Sequence, residues 1–314
     1  LADTVETAIV DVVPGPAPVD QLPEREFTVE ARAQWKTILL RFLRHRLAMV
    51  SLLVLFVIFS AAVFGDSIWK WNYLERDRAN LSQPPSWEHP FGTDSLGKDM
   101  LALTLRGAQR SILIAFVVAF VSTGLGVLVG GITGYFRGPI DWLLMRFTDL
   151  ILTIPLLVVA ATLTWQLDSS SWLMLALILG FLSWMGTARI VRGEFLSLRE
   201  KEFIEAARAV GASDGRIIFR HILPNALGPI IVSATLTIAT AILVETALSY
   251  LGLGVKAPDS SLGLLVSDYQ AAFQTRPWLF WFPGLFIIVI CLSVNFVGDG
   301  LRDAFDPKQT RIRA

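Results

Sequence analysis

SILIAFVVAFVSTGLGVLVGGITGYF, residues 111–136, runs for 26 positions without one Asp, Glu, Lys or Arg. A helix rises 1.5 Å per residue, so about 20 apolar residues cross the hydrocarbon layer of a bilayer, and this run exceeds that length. Five further uncharged runs share the pattern, at residues 47–64, 150–167, 169–188, 222–244 and 277–298. The 314 residues are 54% hydrophobic and 17% charged, with a mean hydropathy of +0.57. Six such runs leave too little polar chain to enclose them as core helices of a soluble protein. The expected fold is therefore an all-α membrane protein with six transmembrane helices.

Within the opening stretch, Gly126, Gly130 and Gly134 recur every four residues. That spacing puts a glycine stripe on one helix face, where another helix can approach closely. Pro155 in the third run removes one backbone donor and predicts a kink. The first run begins only after 46 residues and is 18 long, so it reads as a retained helix rather than a cleaved leader.

The charges are sorted by loop. Residues 32–46 carry five basic side chains and no acidic one, which places the N-terminal side of the first span in the cytoplasm. Six crossings then put residues 137–149, 189–221 and 299–314 inside as well. The inside segments hold 19 of the 27 basic residues and the outside ones 8, six of these in the long stretch 65–110. Both termini are expected in the cytoplasm. The proline-rich residues 1–38 read as a largely disordered tail, 39–110 as the first span with an extracytoplasmic segment, 111–307 as the core, and 308–314 as a second tail. With 27 acidic residues balancing the 27 basic ones, no basic patch points to nucleic acid.

The longest inside loop, residues 194–225, reads EFLSLREKEFIEAARAVGASDGRIIFRHILPN. Phe203, Ala206, Ala207 and Val210 recur at helical spacing with Glu202, Glu205 and Arg208 at the edges, predicting a short amphipathic helix. Gly211 suits its C-terminal cap, Ser213 or Asp214 the start of a second helix, and Pro224 the first turn of the fifth span. A helix, a sharp turn and a second helix joined to the membrane would pass on a force applied to the first.

EAARAVG followed by HILP resembles the EAA loop of bacterial binding-protein-dependent ABC importers. Glu205, Ala206, Ala207, Gly211, Leu223 and Pro224 match that pattern in register, and His221 stands where many members have Ile. HPFGTDSLGKDML at 89–101, ETALSYLGLGVKAPDSSLG from Glu245 and GDGLRDAFDP from Gly298 resemble the C-type permease of dipeptide, oligopeptide and nickel importers. The resemblance covers residues 39–307 and implies a type I importer permease in the bacterial inner membrane. Residues 205–211 would be the coupling helix, between spans four and five. The implied partners are a B-type permease, two ATP-binding-cassette ATPases and an extracytoplasmic binding protein, beside membrane lipid. Short peptides are the implied cargo, with nickel or glutathione as alternatives.

Other signals carry less. No G-x-x-x-x-G-K-[ST] loop occurs, so ATP and Mg are expected on partner subunits, with no cofactor in this chain. GASDG at 211–215 matches a nucleophile pattern by letter but lacks the strand that such an elbow needs, so no catalytic residue is assigned. Cys291 is the single cysteine, and His45, His89 and His221 fall on different segments, which argues against a metal site. Glu245 ends the fifth run and must face protein or water. It is read either as a residue at the extracytoplasmic mouth or as an anchor for the turn after it. A gradient-driven transporter using Glu245 as its ion site is the alternative reading, weakened by the lack of other carboxylates in the spans.

Overall fold

A computed structural model describes residues 34–167 and 171–305. The stretches 1–33 and 306–314, which hold most of both expected tails, and residues 168–170 at the start of the fourth run lie outside it. Helix α1 (Gln34–Arg44) turns at His45 into α2 (Arg46–Ile68), and His45 caps the new helix by accepting a hydrogen bond on Nδ1 from the Ala48 amide at 3.1 Å. An irregular segment leads to α3 (Met100–Phe136), whose first turn is capped by the Asp99 carboxylate at 2.8 Å from the Ala102 amide. At 37 residues α3 is about 55 Å long, well beyond the hydrocarbon thickness. It starts eleven residues before the uncharged run because Arg106 and Arg110 point to one side and pair with Asp259, at 3.0 and 2.6 Å.

The third and fourth crossings are broken. Helix α4 (Gly138–Leu152) meets α5 (Leu156–Gln166) at 83°. Pro155 therefore does more than kink a span. Proline gives no amide hydrogen and disfavours helical geometry at the residue before it, so Thr153 and Ile154 turn their amides back to Leu150 and Ile151, at 3.2 and 3.0 Å. Helix α5 then starts afresh with Pro155 as its cap. Helix α6 (Trp172–Leu182) bends by 41° at Ser183 into α7 (Trp184–Arg199). Counting each bent pair once, the described residues hold six apolar segments long enough to cross a bilayer, four of them unbroken.

Helix α8 (Glu202–Ala209) and a tight turn follow. The chain then runs helically for 37 residues, as α9 (Asp214–Arg216), a π-helical turn (Ile217–Ile222) and α10 (Leu223–Tyr250). The wide turn sits just before Pro224, which has no amide to offer the Arg220 carbonyl. The Leu223 amide reaches five residues back to Ile218 instead. Helices α11 (Leu262–Tyr269) and α12 (Trp278–Phe305) complete the described chain. Helix α3 is central, touching α2, α6, α7, α10, α11 and α12. The main core gathers Ile114, Val118, Leu179, Ile242 and Ile290 from these helices.

Candidate coupling loop and membrane cavity

Helix α8 is held by few contacts. Ile204 is its one buried side chain, set in a cluster with Tyr135, Val191, Phe195, Ile217 and Ile222. Phe203, Glu205, Ala206 and Val210 are exposed, and Ala207 is half-buried. The apolar face that the periodicity picks out thus points away from the protein, with Val210 85% exposed. Ile204, which anchors the helix from the other side, falls outside that face and is not marked by periodicity.

The turn after α8 is a Schellman closure. The Gly211 amide bonds the Arg208 carbonyl and the Ala212 amide the Ala207 carbonyl, both at 3.0 Å. Gly211 has φ of +82°, in the region that L side chains avoid, and an added Cβ there would meet nothing within 4 Å. Ser213 occupies the cap of α9 without a side-chain bond. Asp214 instead accepts from the Tyr135 hydroxyl at 2.5 Å, fixing the start of the long helix to the C-terminal end of α3. Arg199 lies over the Tyr135 ring at 5.6 Å and donates to its carbonyl. Leu223 is half-buried and Pro224 exposed, both in the first turn of α10.

The loop is tied to the membrane through α7. Cβ atoms added at Gly126, Gly130 and Gly134 would sit 2.7 Å from Thr187 Cβ, 2.4 Å from the Ala188 carbonyl and 2.6 Å from Phe195 Cβ. All three glycines therefore lie in the seam between α3 and α7. Arg192 binds both carboxylate oxygens of Asp141 on α4, at 2.6 and 2.7 Å, and Arg189 pairs with Asp149. Helices α4 and α7 are thereby clamped on the side of the breaks that leads to α8.

At the breaks lies a cavity of about 530 Å³. Its walls include Pro155, Ser183, Thr187, Ser233, Thr237 and Thr240, with no Asp, Glu, Lys, Arg or His in its lining. Three of the hydroxyls are spent inward: Ser183 donates to the Leu179 carbonyl at 2.7 Å, Thr237 to the Ser233 carbonyl at 2.9 Å and Thr240 to the Leu236 carbonyl at 3.0 Å, while Thr187 and Ser233 bond each other at 3.0 Å. Their remaining lone pairs are acceptors. Ser233, Thr237 and Thr240 stand at i, i+4 and i+7 on α10, a stripe that is visible in the sequence.

Glu245 is one residue beyond Val244, where the α10 lining of the cavity ends, and it is fully buried away from it. Three hydroxyls donate to its carboxyl: Ser111 at 3.2 Å, Ser249 at 2.7 Å and Ser261 at 2.6 Å. Ser111 also accepts from the Leu262 amide and Ser261 from the Leu264 amide, at 3.2 and 3.1 Å. The cage joins α3, α10 and α11. Near the N-terminus of α3, buried His89 contacts Asp99 at 2.8 Å and stacks on Trp71, while Asp94 accepts from the Tyr269 hydroxyl at 3.0 Å. Glu245 and the α8 loop thus lie in separate parts of the molecule.

Comparison with known proteins agrees with this architecture. Residues 126–311 match the family described as binding-protein-dependent transport system inner membrane component. Residues 33–85 match the N-terminal TM domain of oligopeptide transport permease C. The oligopeptide transport system permease protein OppC of Mycobacterium tuberculosis is 44% identical over 274 residues, 87% of this chain and 94% of that protein. OppC of Bacillus subtilis is 38% identical over 293 residues, 93% and 96% of the two chains. The dipeptide transport system permease protein DppC of Alkalihalophilus pseudofirmus is 40% identical over 294 residues, 93% and 95%. An inward-facing structure of the MetNI methionine ABC transporter superposes with a TM-score of 0.51 at 20% identity, covering 66% of this chain and 98% of that one. The chain belongs to the family of inner membrane components of binding-protein-dependent transport systems.

Proposed function

We propose that this chain forms half of the translocation pathway of an ATP-driven importer of short peptides, and that α8 docks on a separate ATPase subunit. The carrying observation is the outward apolar face of α8, Phe203, Ala206 and Val210, on a helix whose one buried side chain is Ile204. Exposed apolar surface beside charged residues is the usual chemistry of a docking site. Glu205 borders that face, the small Ala206 and Ala207 allow close approach, and Gly211 sets the turn. Leu223 and Pro224 begin the helix that a push on the loop would move.

The peptide assignment follows the cargo named for the relatives. The cavity fits it, since acceptor hydroxyls without formal charge suit peptide N–H groups and repel no class of side chain. The glycine stripe Gly126, Gly130 and Gly134 lets α7 line this cavity at one end and carry α8 at the other. Glu245 serves as the anchor of the outer turn. The remaining partners are a B-type permease, a second ATPase and an extracytoplasmic binding protein. ATP and Mg belong to the ATPases, and both termini of this chain face the cytoplasm.

The test is uptake of labelled peptide by cells or proteoliposomes carrying the full complex. Glu205→Lys and Gly211→Val should abolish uptake while both proteins remain in the membrane at normal levels. Unchanged uptake in both would reject the docking role of α8.

A further inference from the structure

Helix α1, which the uncharged runs do not mark, has one face with no protein against it among the described residues. Phe42 and Ile38 pack on Ala304 and Leu301 of α12. Beside that seam Leu39, Leu40 and Leu43 are 56%, 49% and 49% exposed. This apolar arc continues along the exposed strip of the first span, through Leu47, Val50, Leu53 and Phe56. The corner between the two helices is fixed: a Cβ at Gly300 of α12 would lie 2.4 Å from Ala48 Cβ and 3.5 Å from the His45 ring.

Lys36, Arg44 and Arg46 are exposed around the same arc, and no ion pair engages them among the described residues. Neither α1 nor the first turn of α2 contains an acidic residue. Asp303 of α12 faces His45 at 3.6 Å. A helix with exposed leucines flanked by unpaired cations, directly continuous with a membrane-crossing strip, has the composition of one lying in a lipid interface.

We infer that α1 is a lipid-interface helix whose cations Lys36, Arg44 and Arg46 bind anionic phospholipid headgroups at the foot of the first span. Its occupant is lipid rather than protein, because the apolar arc is continuous with the exposed apolar strip of the first span and the charges come just before its uncharged run begins. Because α1 packs on α12 and on the corner at Gly300, the bound lipid also braces the inner end of the last span.

The experiment uses the full complex in nanodiscs of phosphatidylcholine, with and without phosphatidylglycerol. Amide exchange over residues 34–46 in the wild-type protein should be slower in the anionic discs. Native mass spectrometry of the complex carrying Lys36→Gln, Arg44→Gln and Arg46→Gln should show retained phosphatidylglycerol falling by about fivefold per cation, relative to phosphatidylcholine. Arg44→Lys with Arg46→Lys should keep it. Equal exchange in the two kinds of disc would overturn the inference without need of any variant. So would dissociation of the ATPase subunits from the triple variant with its lipid unchanged, which would assign the cations to a protein partner.

Discussion

At the end of the molecule that the proposed topology puts outside, the turn after α10 is closed over a buried carboxyl that receives three hydroxyl donors, and Asp259 pairs with two arginines of α3. At the inner end, α8 keeps one buried side chain and turns its apolar face outward. Buried polar groups with all partners supplied specify one geometry and penalise every departure from it. A short exposed helix with a single buried side chain has little to resist displacement. The difference suggests a division of labour in which the outer cap is the fixed reference and the inner loop is the part left to be engaged.

Removing the Glu245 carboxyl should have the largest effect on stability. Glu245→Ala leaves the Ser111, Ser249 and Ser261 hydroxyls without their acceptor inside a closed cage. At roughly 1 kcal/mol for each orphaned group, the loss is about 3 kcal/mol. Glu245→Gln retains an acceptor oxygen and should recover more than half of it. Thermal unfolding of the purified complex measures both, and a Glu245→Ala protein as stable as wild type would end the contrast between the two ends.

The seam between them comes next. Gly130→Ala drives a methyl to 2.4 Å from the Ala188 carbonyl and should cost about 2 kcal/mol, because backbone cannot yield as a side chain does. Gly124 lies on the same helix with nothing within 4 Å of its Cβ position, so Gly124→Ala should be neutral or stabilising by up to about 1 kcal/mol. Equal melting of the two variants would show that the close approach of α3 and α7 is not under tension. If Gly130→Ala instead uncouples ATP hydrolysis from uptake, the seam is also the lever.

These sites differ in how far the sequence announces them. The crossings are legible because hydrocarbon excludes charge, and an uncharged run of 18 to 26 residues has the length and composition that a bilayer demands. What such a run cannot carry is direction. Residues 150–167 look like one span, yet the chain turns by 83° before Pro155, and the apolar residues on both sides are equally at home in either course. The early start of α3 is hidden for the opposite reason: Arg106 and Arg110 end the uncharged run, and their partner Asp259 is about 150 positions away. In the loop, helix, turn and glycine conformation are all readable, but the inward face is not. Periodicity finds an apolar face without saying whether it meets its own protein or another, and here the buried contact is Ile204 alone.

Gly211 separates the two uses of such a turn. Its φ of +82° strains any residue with a Cβ, by about 1 kcal/mol for Ala and less for Asn. Because the position is open, neither change should shift melting of the complex by more than that. Uptake should nonetheless fall with Gly211→Asn if a partner surface approaches the turn, since the backbone is preserved and only the added side chain intrudes. Full uptake by Gly211→Asn alongside reduced uptake by Gly211→Ala would make the turn a purely internal feature.

The smallest expected effect is a response of the outer segment to acid. Hydrogen bonds from the Asn80 side chain and the Ala79 amide, at 2.8 and 2.9 Å, hold the Asp77 carboxyl below the ordinary aspartate value, with a lesser contribution from His89. A lowered folded-state value means that the unfolded segment binds the proton more readily. The stabilisation is complete above the unfolded value, near pH 4, and is lost as pH falls through the folded one. Amide exchange over residues 69–99 should therefore quicken only in that acid window. Asp77→Asn should weaken the response while leaving exchange near neutral pH close to that of wild type. The α8 turn, closed by backbone hydrogen bonds at Gly211 and Ala212, should show a smaller change. An equal acid response at both ends would mean that the outer cap is not held more firmly than the inner loop, and that the asymmetry of buried polar contacts has no mechanical consequence.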